Sequence, residues 1–345
     1  MGDSLLHNFT INSKFKDYSV SFSSDYDLDE LGTFFLIDSN VFNLLKKKPR
    51  RYIIVEATEQ NKSFEFIGDI LKVLVEQKLK RSDILVGIGG GIVQDITAFI
   101  SSVWMRGIAW NFIPTTLLAQ CDSCIGSKSS INFYDVKNIL GTFNSPNKII
   151  IDTNFLVSLN EKEIKSGLGE IIKLLTINKE SFEYFDLTQN LEYYILKSLM
   201  IKKQFIEQDE FDVGIRNILN YGHCFGHAIE SSSNYEIPHG ISVSLGMDIA
   251  NYVSLKLGHI DEKQYLKFKD QLTQNYSNYV NFSYDIDNII RYIKSDKKHT
   301  DKFINLIMPI TNTIEKVSIE NTEASWETIK QILTNFMREI KYESL

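Results

Sequence analysis

The sequence predicts an α/β fold in which a parallel-sheet domain is followed by a mainly α-helical one. Three observations carry that reading. Short β-rich runs alternate with helical patterns through the first half, three glycines stand together at a strand-to-helix junction, and the texture turns helical after about Leu159. With 345 residues, 43% hydrophobic and 23% charged, the chain has the material for two cores and exceeds one typical domain. The boundary falls at 159/160, giving domains 1–159 and 160–345.

The elements follow in order. "FFLID" (Phe34–Asp38) and "YIIVEA" (Tyr52–Ala57) are apolar runs suited to strands buried on both faces. "SFEFIGDILKVLVEQKLK" then places Phe64, Ile67, Ile70, Leu71, Leu74 and Val75 at helical spacing. "DILVGIG" (Asp83–Gly89), "IAWNFIP" (Ile108–Pro114) and "NKIIIDT" (Asn147–Thr153) continue the buried strands, and the alternation implies a parallel sheet. Beyond Leu159, "EKEIKSGLGEIIKLLTI", "LEYYILKSLMIKKQFIEQ", "GISVSLGMDIANYVSLKL" and "SWETIKQILTNFMREI" read as helices, with one late strand at "KFINLIMP".

A net charge of −7 argues against general nucleic-acid or anionic-membrane binding, while leaving room for a local basic pocket. No apolar run approaches the ~18 residues that span a bilayer. The stretch "MGDSLLHNFTINSKFKDYS" lacks the basic-then-apolar order of a secretory signal. Cys121, Cys124 and Cys224 cannot make a disulfide framework, so a reducing cytoplasm is expected. Cys121 and Cys124 form a C-x-x-C, "CDSC": a redox pair, half a zinc site, or simply two small residues in a loop. No second C-x-x-C completes a zinc tetrad.

In "DILVGIGGGIVQDITAF", Gly89, Gly90 and Gly91 stand where a strand ends and a helix begins. Glycines there let the backbone approach a ligand, and free amides at a helix start attract phosphate. The G-x-G-x-x-G fingerprint is absent. Consecutive glycines cost chain entropy without a packing return, which favours a ligand-binding turn over a merely tight one.

Of six histidines, His223, His227 and His239 fall inside "LNYGHCFGHAIESSSNYEIPHG". His223 and His227 are four apart and project from one helical face, a common way to present imidazole to zinc. Catalytic zinc also takes carboxylates, and "KSGLGEIIKLL" offers Glu170, on one face with Lys173. The plainer reading of Glu170 is a surface residue paired to a lysine. Arg106, Lys128, Lys137, Lys173, Lys202 and Arg216 gather in or near these motifs in an acidic chain, which suggests a substrate with several negative charges.

Taken in order, "EQNKS", "GGGIVQD", "MRGIAWNFIPTTLLAQCDS", "GSKSSIN", "KNILGTF", "SGLGEIIK", "LNYGHCFGHAIE", "PHG" and "DKK" resemble the 3-dehydroquinate synthase family, within the sugar-phosphate cyclase superfamily. The matching stretches run from about Asp38 to Lys298. The resemblance implies a dehydroquinate synthase-like fold, with a Rossmann-like NAD-binding domain before a helical metal- and substrate-binding one. It implies a phosphate-eliminating lyase of aromatic (shikimate-pathway) biosynthesis. This converts 3-deoxy-D-arabino-heptulosonate 7-phosphate to 3-dehydroquinate and phosphate by transient oxidation with NAD, β-elimination, re-reduction and intramolecular aldol closure. The implied cofactors are NAD and zinc or cobalt. The implied assembly is a homodimer acting on a small sugar acid phosphate, with neither nucleic acid nor membrane as partner.

Carried over by position, the resemblance makes Glu170, His223 and His239 the metal ligands and His227 a proton relay, where helical spacing alone would make His227 a ligand. Lys173 and Asn220 would contact substrate hydroxyls, and Lys202 with Arg216 would hold the carboxylate. Lys128, Asn138 and Lys297 or Lys298 would hold the phosphate, with Arg106 reaching it from a partner subunit. NAD would lie along Asp38, Asn40, Glu59, Lys62, Gly90, Gly91, Ile92, Asp95, Thr115, Thr116, Asp122, Lys128, Lys137 and Phe155.

The chain departs from the family's usual pattern at Gln94, Ser127 and Ser130, where glycines are usual, and at Gly169, where alanine is commoner. Other cyclases, acting on sedoheptulose 7-phosphate or glucose 6-phosphate, have no substrate carboxylate to bind, so Lys202 and Arg216 favour the dehydroquinate reaction. Two readings from other classes compete: a metal-dependent polyol or glycerol-phosphate dehydrogenase, and a non-catalytic binding descendant.

Overall fold

The fold is that of a computed structural model, which describes residues 8–134 and 136–342. The first residues of the stretch read for a secretory signal lie outside the described residues. Two compact units are present. One runs to Asn160 and takes in Ile195–Asp212; the other comprises Glu161–Tyr194 and the chain from Val213 onward. Residues 195–212, assigned to the second domain from sequence, pack with the first because polar groups tie them there. Glu210 accepts hydrogen bonds from Ser13 Oγ (2.6 Å) and Lys14 N (2.7 Å), and Lys202 Nζ donates to Asp122 O (2.6 Å).

The first unit is built on strands β1 (Asn8–Ile11), β2 (Tyr18–Phe22), β3 (Phe34–Asp38), β4 (Tyr52–Val55), β5 (Ile84–Gly89), β6 (Ala109–Pro114), β7 (Lys128–Phe133), β8 (Val136–Phe143) and β9 (Lys148–Ile151). Seven form one sheet in the order β1-β2-β9-β6-β5-β3-β4, and only the β1–β2 pairing is antiparallel. β7 and β8 form a separate antiparallel hairpin. All the strands expected in the first half lie in the parallel part of this sheet.

Apolar runs were legible there because both faces of the sheet are covered. Phe35 and Ile37 of β3 join Val86, Ile88, Ile113 and Ile150 in one buried cluster. On the other face, Gly87 lets the helix Gly91–Val103 approach: a Cβ at Gly87 would stand 2.6 Å from Thr97 Oγ1. β4 is the exception. It was expected to be buried, but as the sheet's edge it leaves Tyr52 and Ile54 40% and 45% exposed.

The strand order reverses once in a way that matters. β4 pairs on one side of β3, and the chain then crosses back to lay β5 on the other side before continuing to β6 and β9. Open α/β sheets bind ligands at such a switch point, beyond the carboxyl ends of the strands. Here those ends are Asp38 and Gly89.

The second unit contains the helices Glu161–Ile177, Tyr184–Gln189, His223–Ser232, His239–Lys256, Glu262–Tyr276, Ile286–Lys294 and Glu323–Tyr342, with the antiparallel hairpin β10 (Phe303–Ile310) and β11 (Thr313–Glu320). The late strand expected at "KFINLIMP" is β10. The helix His239–Lys256 is this unit's centre: every residue from Gly240 to Ser254 is buried. Among the described residues, no helix is long and apolar enough to cross a membrane.

Candidate functional site

Two short-range features of the sequence set the histidines. Gly222, at φ +77°, turns the chain into the helix His223–Ser232, and a Cβ there would meet Met247 Cγ at 2.5 Å. Pro238 caps the next helix, so His239 is its first residue. One ring nitrogen from each of His223, His227 and His239 can be chosen so that all lie within 4.8 Å of one another.

Glu170, from the helix Glu161–Ile177, completes the group. Its Oε1 is 3.3 Å from His239 Nε2 and 3.6 Å from His223 Nε2, while Lys173 pairs with its Oε2. The lysine pairing expected from sequence is present, but Glu170 is no surface residue: it is 1% exposed. Neither of its oxygens accepts a hydrogen bond of good geometry, so the surrounding charges compensate the carboxylate without satisfying it. A buried acceptor left in that state is costly, and a further positive partner on Oε1 would relieve it. One carboxylate oxygen and two imidazole nitrogens converging on a point suit zinc or cobalt.

Electrostatics within the cluster run the same way. Burial would raise the Glu170 carboxyl, but Lys173 and His239 hold it well below the usual range. Burial would lower His239, yet its contacts with Glu170 and Glu230 push it up to about 10. Burial, then the charge of Lys173, keeps His223 well below its ordinary value. His227 has its ring open to solvent, though the protein crowded around it and the neighbouring His239 still lower it. His223 Nδ1 lies 3.2 Å from the Tyr221 carbonyl, which accepts its proton and leaves Nε2 facing Glu170.

The other expected residues of this unit sit nearby in sequence and differ in exposure. Arg216 is buried and Asn220 donates to Asn217 O (3.0 Å), both within the turn Ile215–Asn220. Lys298 is half-buried and its charge bears on His223 and His227, whereas Lys297 is exposed.

In the first unit, Gly90 caps the helix Gly91–Val103 with no side-chain hydrogen bond, which leaves its first amides for an anion. The expectation that the glycines have no packing return needs correction. A Cβ at Gly89 would stand 2.6 Å from Val93 Cγ2, and one at Gly90 would stand 2.9 Å from Thr116 Cγ2. Of the three, only Gly91 has room for a Cβ, which would stand in ordinary contact with Ser123 Oγ at 3.9 Å. Ile92 follows it in the first turn. At the end of β3, Asp38 Oδ1 accepts from Asn40 N (2.9 Å) and Asn40 Nδ2 (3.1 Å). Thr115, at the end of β6, donates its amide to Gly89 O (2.9 Å).

A polar network links the loop after β4 with the β7–β8 hairpin. Lys62 Nζ reaches Asp95 Oδ2 (2.5 Å) and Asn138 Oδ1 (2.7 Å), and Ser130 Oγ donates to the same Asn138 oxygen (3.0 Å). Lys137 Nζ lies 3.6 Å from Glu59 Oε1. Lys128 pairs with Asp212 (2.5 Å), and Lys202 with Asp122 Oδ1 (3.2 Å). Phe155 packs into the cluster of Ile37, Ile88 and Ile150, and Arg106 is exposed at φ +65°. Cys121 and Cys124 are buried in and beside the helical turn Ala119–Ser123, and burial pushes the Cys124 thiol up to about 12. Among the described residues, the candidate metal group contains no cysteine.

The family described as 3-dehydroquinate synthase N-terminal matches residues 52–166, and 3-dehydroquinate synthase C-terminal matches 167–299. A 3-dehydroquinate synthase of Alkaliphilus oremlandii is 37% identical over 320 residues, covering 86% of this chain and 88% of the relative. The chain belongs to the 3-dehydroquinate synthase family. Among solved structures, 2-deoxy-scyllo-inosose synthase complexed with carbaglucose-6-phosphate, NAD+ and Co2+ superposes with a TM-score of 0.81 at 21% identity, over 94% of this chain and 99% of that one. The 2-epi-5-epi-valiolone synthase of Streptomyces hygroscopicus, with NAD+ and Zn2+ bound, gives 0.78 at 20% identity, over 93% and 97%. At such identities these two speak for the fold alone.

At three positions where the family resemblance led us to expect glycine, this chain supplies hydrogen bonds. Gln94 Nε2 donates to Ser123 O (2.7 Å) and Ser123 Oγ returns a bond to Gln94 Oε1 (2.8 Å). Ser127 holds a left-handed φ of 62°, steadied by its hydroxyl contact with Ser145 Oγ (2.7 Å). Ser130 bonds Asn138 as described. One residue of the histidine helix escaped the sequence reading: Glu230, whose Oε2 lies 3.0 Å from His239 Nδ1. Its signal was present, since Glu230 follows His227 by three and His223 by seven, on the same helical face.

Proposed function

We propose that this chain converts 3-deoxy-D-arabino-heptulosonate 7-phosphate to 3-dehydroquinate and phosphate, as a carbon–oxygen lyase that eliminates phosphate. The observation that carries this reading is the buried Glu170, whose Oε1 lies beside the Nε2 atoms of His223 and His239 in a chain of this family. Glu170, His223 and His239 would hold a zinc or cobalt ion. The uncapped helix start at Gly90–Gly91, with Asp38 across the switch point, would hold NAD. When bound, the metal polarises a substrate alcohol, and NAD takes up and returns a hydride.

The chain's own residues supply binding and proton handling. Lys173 and Asn220 contact hydroxyls, and Lys202 and Arg216 hold the carboxylate, Arg216 through two parallel hydrogen bonds. Lys128, Asn138 and Lys298 hold the phosphate, and Lys298 is chosen over Lys297 because it lies toward the histidines. His227, neutral at physiological pH and open to solvent, takes and returns a proton at a ring nitrogen. Asn40, Glu59, Lys62, Ile92, Asp95, Thr115, Thr116, Asp122, Lys137 and Phe155 belong to the NAD-binding part of this reading. Arg106 serves a partner's site in a homodimer, and three free cysteines fit a reducing cytoplasm.

The test is to incubate the pure protein with the heptulosonate phosphate, NAD and zinc or cobalt, and follow products by NMR and nicotinamide absorbance. Dehydroquinate and phosphate should appear with no net NADH. Stoichiometric NADH would instead indicate a polyol or glycerol-phosphate dehydrogenase.

A further inference from the structure

His239 lies between two carboxylates. Glu170 Oε1 is 3.3 Å from its Nε2, and Glu230 Oε2 is 3.0 Å from its Nδ1 on the far side of the ring. Glu230 comes from the helix that carries His223 and His227, and the three form one stripe at i, i+4 and i+7. Its side chain is 20% exposed, so the contact is made largely out of water. His223 has a counterpart on its own far side, but a neutral one, the Tyr221 carbonyl. The two imidazoles that share Glu170 are thus steadied from behind by unlike acceptors.

We propose that Glu230 is a positioning residue for the cation site: it holds the proton of His239 on Nδ1 and so presents Nε2 to the point shared with Glu170 and His223. The inference rests on the metal-site reading above. An imidazole without such a partner populates both tautomers and more ring orientations, and loses affinity as a ligand. Outer partners of this kind are typically worth ~10–100-fold in metal affinity.

Zinc and cobalt affinities are measured by competition with a chromophoric chelator on full-length wild type, Glu230→Gln, Glu230→Ala and His239→Ala, with melting curves of each metal-free protein. Glu230→Ala should bind ~10–100-fold more weakly. Glu230→Gln, whose amide oxygen still accepts from Nδ1–H, should recover much of that loss, which a merely structural glutamate would not predict. Wild-type affinity in Glu230→Ala, with binding lost in His239→Ala, overturns the role of Glu230 and leaves the metal site standing. Wild-type affinity in both overturns the metal-site reading and this inference together. A second measurement needs no variant: in the zinc-bound wild type, ¹H–¹⁵N correlation should find His239 protonated on Nδ1. A proton on Nε2 overturns the proposal.

Discussion

Gly169 and Gly240 bring two helices into backbone contact. A Cβ on Gly169 would fall inside the carbonyl of Gly240, and one on Gly240 inside that of Ser166, while the Gly240 amide donates to Ser166 Oγ (3.1 Å). Each glycine neighbours a site residue, Glu170 on one helix and His239 on the other. This crossing sets the distance between carboxylate and imidazole. Gly240→Ala must therefore part the helices, because the obstacle is the Ser166 backbone and cannot rotate away. We expect it to cost about 1–3 kcal/mol of stability and to weaken zinc binding as well. Chemical denaturation and metal titration of the variant check both. An unchanged metal affinity would show that the crossing does not set the site.

The glycine run gives a prediction with an internal control. Gly91 has room for a Cβ, whereas Gly89 faces Val93. Gly91→Ala should fold with a stability within about 1 kcal/mol of wild type, yet bind NAD more weakly, since its methyl would occupy ligand space. Gly89→Ala should instead lose about 1–3 kcal/mol through overpacking. Melting curves and NAD titration separate the two. NAD affinity unchanged in Gly91→Ala would remove the glycine turn from the nucleotide site.

His227 divides the ligand reading from the relay reading. Its ring nitrogens lie close enough to those of His223 and His239 to serve as a third ligand, but it is the exposed member of the three. As a relay, His227→Ala should keep near wild-type metal content while turnover falls ~10²–10⁴-fold. His239→Ala should lose the metal. Elemental analysis of the two purified variants decides, and metal loss from His227→Ala returns it to the ligand set.

Substrate choice tests Arg216, a buried cation. A substrate without a carboxylate would forgo the two parallel hydrogen bonds that a guanidinium can give to one. The protein should cyclise the heptulosonate phosphate far better than sedoheptulose 7-phosphate or glucose 6-phosphate, and Arg216→Ala should narrow the gap by weakening the acid substrate. Specificity constants for the three substrates, in wild type and variant, provide the measurement. A preference for sedoheptulose 7-phosphate in wild type would place the chain on another branch of the cyclases.

What could be read from the sequence follows from where water lies. β3, β5, β6 and β9 were legible because each has buried positions on both faces, so the run is mostly apolar, with Asn111 of β6 the one polar residue inside a strand. β11, "TIEKVSIE", and β8, "VKNILGTF", keep one side largely in solvent, and their polar residues disguised them. The helix Glu262–Tyr276 was hidden in the same way by its lysines and glutamines. At the site, the imidazole spacing was visible in four residues of one helix. The approach of Glu170 was not, because it depends on the crossing at Gly169 and Gly240, which no local pattern records.

The reciprocal bonds between Gln94 and Ser123 bear on how such a chain can change. Gln94 is buried, and its amide spends both ends on one serine. Replacing Gln94 by glycine alone would strand the Ser123 hydroxyl and carbonyl and open a hole, while replacing Ser123 alone would strand only Gln94 Oε1, since the backbone carbonyl of residue 123 still accepts from Nε2. The two side chains share one hydrogen bond, so the two positions should show non-additivity in a double-mutant cycle. A lineage that gains or loses Gln94 therefore changes the partners of Ser123, a serine that belongs to the stretches resembling the family.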